Sequence, residues 1–382
     1  MKVHVVKHVA RYLFLTIVAL VSIFAFTMYL QITSRAETAN KRDKVQKDYD
    51  KLSKVDQKVR NDALEQEIKN IQKSYGEAVK VYENLLKLRD QNIKIPELEQ
   101  QMAKVLALLS ERNYSSASAE IATLQGEIAK KNTETASSFV IPANVAVNNT
   151  PPGAGYSRQS VKSEVGTFLV DIIAADLNST RVIVDTASDG TCTNDCPVDA
   201  LANYAARSGA FAAINGPYFC PAGYPSCEGK INSFDTLLMN KNKTYFNSDN
   251  NVYSTVPAVI FSGGSARFVG QSLEWGRDTG VDSVIASQPM LVAGGNVAYG
   301  GDDEVKRAGK GARSFIGASG STAYMGVVYN ANVAEVARVL KAMGIQSALN
   351  LDSGGSTALW SGGRYLVGPG RNTPFGILFV NK

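Results

Sequence analysis

Ala348-Leu349-Asn350-Leu351-Asp352-Ser353-Gly354-Gly355-Ser356-Thr357 lies near the C-terminal end of the chain. A short apolar strand brings one carboxylate to its end, and a Gly-Gly-Ser-Thr loop follows at once. Glycines lack Cβ, so the backbone can turn tightly and come close to a ligand. Backbone N–H groups and two hydroxyls then stand beside Asp352, an arrangement suited to an anionic or polyol ligand. A strand simply leaving its sheet through a polar turn has the same local pattern.

Working outward, short apolar runs alternate with short amphipathic ones. Phe168–Ile173, Arg181–Val184, Phe211–Ile214, Tyr324–Tyr329, Ser347–Leu351 and Gly376–Val380 read as strands, and Val256–Phe261 with Ser265–Val269 as a hairpin. Val198–Ser208 and Val333–Met343 read as helices, the second stopped by Gly344. Strands and short helices mixed over 156–382 predict an α+β domain with a mixed sheet.

The N-terminal part reads differently. Tyr12–Leu30 is an uncharged apolar run preceded by Lys2, Lys7 and Arg11. Its length suffices to span a bilayer and exceeds the usual signal-peptide core, which favours a retained transmembrane helix (12–32) after a cytoplasmic tail (1–11). Basic residues follow the run as well, so charge alone chooses no orientation. Residues 37–131 are charged and helical, with no proline before Pro96. Leu64, Ile68, Ile71, Tyr75, Ala78, Tyr82 and Leu85 recur at 4-3 spacing, a helical hairpin or coiled-coil spacer with self-association as a further role. Residues 132–155 carry three prolines and no charge after Glu134, a flexible linker.

Residues 1–140 hold 22 Lys/Arg against 17 Asp/Glu, and residues 141–382 hold 18 of each. A neutral C-terminal domain argues against nucleic acid as a partner. Cys192, Cys196, Cys220 and Cys227 are the only cysteines. Pairing 192–196 and 220–227 is preferred among three connectivities, with a zinc site as the cytosolic alternative. Disulfides would put the C-terminal domain outside and the N-terminus inside the cell membrane. The only histidines, His4 and His8, sit in the N-terminal tail. The C-terminal domain therefore holds no Ser-His-Asp or Cys-His catalyst and no imidazole metal ligand. No ligand cluster is visible, so no metal or other cofactor is expected, although Asp and backbone carbonyls would suit Ca²⁺ or Mg²⁺.

Three further segments join the opening one: Ala213–Phe219, where Asn215-Gly216 ends a strand; Gly311–Gly317, where Arg313 opens one; and Arg371–Ile377, a polar turn before the last strand. A guanidinium fork matches phosphate. In this order, Asn215–Phe219, Cys220 with Cys227–Ser233, Arg313–Gly317 and Asn350–Ser356 resemble the phosphodiester glycosidase family over about 156–382. Three positions depart from its pattern. Pro217 removes an N–H, Ser353 adds a Cβ, and Phe315 is bulky, changes able to narrow or reshape the pocket.

The resemblance implies hydrolysis of a sugar-1-phosphodiester in an envelope or exopolysaccharide glycan. Asp352, Arg313 and Asn215 would be catalytic. Asn350, Gly354, Gly355, Ser356, Thr357 and Gly216 would bind substrate. A glycan-binding module without turnover, a transglycosylase, or a cell-envelope scaffold acting through the helical region would use the same chain.

Overall fold

The computed structural model describes residues 2–91, 93–248, 255–302 and 304–382. It divides into two units, Met1–Lys73 and Ser74–Lys382. The first contains α1 (Lys2–Ser53) and the start of α2 (Asp56–Asp90). The apolar run lies inside α1, which holds a stretch long and apolar enough to cross a bilayer. Its side chains from Leu15 to Leu30 are exposed. α1 continues without a break to Ser53, so the expected anchor and the start of the spacer form one helix.

The second unit opens with the rest of α2, α3 (Pro96–Ser110) and α4 (Tyr114–Ser138). Pro96 occupies the first turn of α3, where its missing N–H costs no hydrogen bond. Asn113 caps α4 by accepting from the Ser116 N–H. The three helices bury Ala78, Val81, Leu85 and Leu88 of α2 against Leu98, Met102, Val105, Leu109, Ala117, Ile121, Leu124 and Ile128. The expected seam is therefore buried only in part, at Ala78 and Leu85, where Val81 and Leu88 join it. Leu64, Ile68, Ile71, Tyr75 and Tyr82 remain exposed, because the apolar faces of α3 and α4 meet α2 from Ala78 onward.

The stretch read as a flexible linker also differs. Its first residues are helical to Ser138, and the rest is tied to the first strand. Asn148 N–H donates to Ser160 O at 2.8 Å, and Ser160 N–H to Ala146 O at 3.0 Å. The Asn149 side chain donates to Lys162 O and accepts from Lys162 N–H. Asn148 and Asn149 are the residues that pin it.

The strands follow in order: β1 (Gly155–Ser163), β2 (Gly166–Asp176), β3 (Thr180–Thr186), β4 (Ala210–Asn215), β5 (Leu238–Met239), β6 (Tyr245–Phe246), β7 (Ala258–Ser262), β8 (Ser265–Val269) and β9 (Ser283–Ala286). Then come β10 (Met290–Ala293), β11 (Asn296–Val297), β12 (Gly311–Ser319), β13 (Thr322–Ala331), β14 (Ser347–Asn350), β15 (Leu359–Ser361), β16 (Arg364–Val367) and β17 (Phe375–Asn381). Short helices α5 (Leu201–Arg207), α6 (Val305–Ala308) and α7 (Val333–Ala342) lie between them.

Three sheets form, in the orders β1-β2-β13-β12-β14-β10-β11, β16-β15-β4-β17-β3 and β6-β5-β9-β7-β8. Neighbouring strands pair antiparallel throughout. Antiparallel sheets with helices on their outer faces make the domain α+β, as expected, but the sheets are not mixed as expected: each strand pairs antiparallel with its neighbours.

Alternation assigns the faces. Ile173, Met325, Val327, Ile316 and Leu349 of the first sheet point into a core shared with Val182, Ile214, Phe375 and Ile285 of the other two. Val170, Ile172, Phe315, Val328 and Ala348 point the other way, under α7. α5 covers the outer face of the second sheet. Cys192 pairs with Cys196 and Cys220 with Cys227, as preferred.

Phe315 is fully buried in this second core. A Cβ at Gly326, its neighbour across the strand pair, would lie 2.8 Å from the Phe315 ring and 2.6 Å from Asp171 O. The bulk at 315 is thus taken up by an absent side chain opposite, away from the candidate site. Gly326→Ala should lower stability by about 1–3 kcal/mol through overpacking. A thermal midpoint within a degree of the parent would refute that close fit.

Candidate active site

Three strand ends deliver the predicted residues to one place. β4 ends at Asn215, β14 ends at Asn350 and runs into the Asp352 loop, and Arg313 stands near the start of β12. Phe315 pairs with Asn350, so β12 and β14 bring Arg313 and Asp352 to the same edge. Asp352, Arg313, Gly354, Gly355 and Ser356 all line one cavity of about 650 Å³. The disulfide-closed Cys220–Cys227 loop forms a second side, and α2 and α4 a third.

Asp352 is half-buried on the cavity wall. Loss of hydration pushes its carboxyl up to about 6. Hydrogen bonds from Ser356 and from the Ser353 N–H, the latter at 2.8 Å, oppose that shift, as do the charges of Arg371 and Lys306. Such a carboxyl is ionised at neutral pH and is a stronger base than an ordinary aspartate.

Arg313 is almost wholly buried. Its Nε donates to Ala331 O at 3.2 Å, and its Nη2 to Lys306 O at 2.9 Å and to Gly309 O. These acceptors carry only partial charge, and burial pulls the guanidinium below its usual value, while Tyr218 and Asp352 pull the other way. A buried cation held by carbonyls and facing a cavity is prepared for an anion.

Asn215, expected to be catalytic, is fully buried and absent from the cavity wall. Its Nδ2 donates to Asp352 O at 2.7 Å and to Gly216 O at 3.1 Å. Its Oδ1 accepts from Ser314 Oγ at 2.8 Å and from the Ala358 N–H at 3.1 Å. The amide is saturated by the protein and acts by positioning the Asp352 loop.

Gly216, expected to bind substrate, is packed away from the cavity. A Cβ there would sit 2.1 Å from the Phe375 ring, and its carbonyl accepts the Asp352 N–H. Asn350 is likewise buried off the wall, donating to Tyr218 Oη at 2.6 Å and to Leu351 O at 3.0 Å. Among the described residues its Oδ1 has no hydrogen-bond partner. Thr357 is buried with its hydroxyl on Ala312 O, and it lines a neighbouring cleft instead.

Two of the three departures are also accommodated. Ser353 adopts φ −142°, which any side chain allows, and its hydroxyl accepts from the Ser314 N–H. Pro217 is buried and off the wall.

Tyr218 carried no role in the sequence reading and takes one here. It lines the cavity, and burial, with the Asp352 charge, pushes its phenol up to about 12. Its oxygen accepts from Asn350, so its own proton is free to donate into the cavity. The signal was an aromatic with a hydroxyl beside the Asn-Gly turn, which reads locally as core. The other missed residues come from the helices: Asn84, Lys87 and Gln91 at the end of α2, and Gln125 and Asn132 of α4. Among the described residues no group of three or more His, Cys, Asp or Glu could hold a metal.

The antiparallel α+β domain thus carries a cavity that sets one perturbed carboxylate beside a buried guanidinium. Residues 208–380 match the sequence profile of the phosphodiester glycosidase family, within the range the motifs marked. No curated protein matches the chain. Among solved structures, the chain is similar to the catalytic domain of zebrafish N-acetylglucosamine-1-phosphodiester alpha-N-acetylglucosaminidase, auto-inhibited by its pro-peptide. There the TM-score is 0.46 and the identity 15%, over 61% of this chain and 85% of that one. A hypothetical protein from Synechocystis gives 0.41 and 12%, over 59% of this chain; the match spans 62% of that protein.

Asn215→Ala would strand Ser314 Oγ and the Ala358 N–H and release the Asp352 carbonyl. Each buried unpaired group costs about 1–3 kcal/mol, so the urea midpoint should fall clearly. An unchanged midpoint would show that the loop is held by something else.

Proposed function

We propose that the chain is a membrane-anchored hydrolase that splits the glycosidic C–O bond of a sugar-1-phosphodiester in an envelope or exopolysaccharide glycan. The observation that carries the reading is the shared cavity of Asp352, raised to about 6, and the carbonyl-held Arg313. Arg313 binds the phosphate and meets the charge that grows on it as the bond breaks. The Tyr218 hydroxyl donates to another phosphate oxygen. Asp352 takes a proton from water as that water adds to the anomeric carbon. The phosphomonoester leaves with the bridging oxygen, and the free sugar keeps the hydroxyl from water. A phosphate leaves well without protonation, which suits a cavity with one carboxylate where an ordinary glycosidase uses two.

The long apolar helix and the two disulfides support an anchor with the C-terminal domain outside the cytoplasm and the N-terminus inside. Self-association would involve the exposed apolar residues of α2, Leu64, Ile68 and Ile71.

The test is release of free sugar and phosphomonoester from UDP-N-acetylglucosamine or an aryl sugar phosphodiester by the full-length chain. Asp352→Asn should lower kcat by roughly 10²–10⁴-fold. The base works only when ionised, so kcat should climb with pH through about 6 and then level off. Full turnover in Asp352→Asn would end the proposal.

A further inference from the structure

The cavity holds more positive charge than one phosphodiester needs. Six cationic side chains line it: Lys87, Lys230, Lys306, Lys310, Arg313 and Arg371. Two are neutralised, Lys310 by Glu335 at 2.9 Å and Arg371 by Asp90. The other four have no carboxylate within ion-pair distance among the described residues. Among the described residues Asp352 is the only carboxylate on the wall. A phosphodiester carries one negative charge, and Arg313 alone meets it.

Lys87 is the telling member. It comes from α2, outside the 208–380 that match the family. Its Nζ donates to Asn84 Oδ1 at 2.9 Å, a neutral partner on the same helix. Burial, together with the charges of Lys306 and Arg313, lowers it to about 8, while Glu304 and Glu83 oppose the shift. The fold holds α2 in place here. Glu83 accepts from the Ser226 N–H at 3.0 Å, and Asp90 pairs with Arg371, whose guanidinium lies over the Tyr224 ring. A Cβ at Gly355 would strike both Arg371 and Asp90, so the diglycine turn leaves room for that contact. Asn84, Gln91, Gln125 and Asn132 present amides from the same wall, groups suited to sugar hydroxyls.

Resting on the hydrolase reading, we infer that Lys87, with Lys306, forms a second anion subsite, so that the substrate carries a second phosphoryl group beyond the one at the scissile bond. The helical segment is then part of the substrate site and sets its selectivity, and the family domain supplies the chemistry. A second phosphate can be adjacent, as in a pyrophosphate, or one repeat further along a sugar–phosphate polymer.

The experiment compares Lys87→Gln and Lys87→Arg with the parent, as full-length chains matched in thermal midpoint. Three substrates are used: a methyl sugar-1-phosphodiester, UDP-N-acetylglucosamine, and a synthetic dimer of sugar-1-phosphate repeats. In Lys87→Gln, KM should rise about tenfold more for a doubly charged substrate than for the singly charged one, a difference typical of one lost charge-assisted contact. Lys87→Arg should recover most of it. The doubly charged substrate that depends more on Lys87 identifies the spacing of the two phosphates. Equal effects on all three substrates, or faster turnover in Lys87→Gln, would overturn the inference.

If none is turned over, the hydrolase reading fails, and calorimetry with inorganic pyrophosphate and phosphate decides the subsite by itself. The parent should prefer pyrophosphate by about tenfold, and Lys87→Gln should lose most of that preference. The gap between parent and Lys87→Gln should close as pH rises past about 8, where Lys87 gives up its proton. No preference in the parent, or the same preference in Lys87→Gln, would overturn the subsite.

Discussion

The Asn215 carboxamide joins the end of β4, the Asp352 loop, the Ser314 side chain on β12 and the chain entering β15. The groups it joins lie 99 to 143 residues away in sequence. The Ser314 hydroxyl and the Ala358 N–H are buried, so each must find a partner inside the protein. One planar amide with two donors and an acceptor oxygen satisfies them together. That constraint fixes where the Asp352 carboxylate emerges, and the cavity follows from it.

Around that amide the domain manages charge by selective compensation. Asp185, elsewhere in the fold, receives Arg207, Lys241 and the Ser208 hydroxyl. Burial would raise its carboxyl, yet these partners hold it below the usual range. Asp171, fully buried, receives the hydroxyls of Tyr156 and Tyr329 at 2.7 Å each. Asp352 receives weaker help, and its carboxyl stays raised. Of the cations on the same cavity, Arg313 likewise has carbonyls and Lys87 an amide for company. Structural charges are neutralised, and those of the cavity are left with capacity to interact.

The helical segment changes meaning once placed. Read as a spacer, it would only set a distance from the membrane. Docked through Glu83, Asp90 and the Ala136 carbonyl, which accepts from Asn330, it completes the cavity. Those contacts join residues up to 281 apart in sequence, beyond the reach of any periodicity argument. The seam of 4-3 spacing was legible, and so was the start of α3 at Pro96. Which part of the seam would be buried was not, because that depends on where α3 and α4 end their turns.

The sequence by itself determined the longer strands, the α+β class and the strand ends at which Asp352 and Arg313 stand, and it favoured the two local disulfides. These follow from alternation, from strand ends and from cysteines close in the chain, all local quantities. Tertiary structure alone decided that Asn215, Asn350 and Gly216 are buried in the framework, that Tyr218 and Lys87 face the cavity, and that Phe315 fills the space Gly326 leaves. A polar residue at a strand end has the same local pattern whether it meets a ligand or a distant backbone. Only packing tells which partner arrives first.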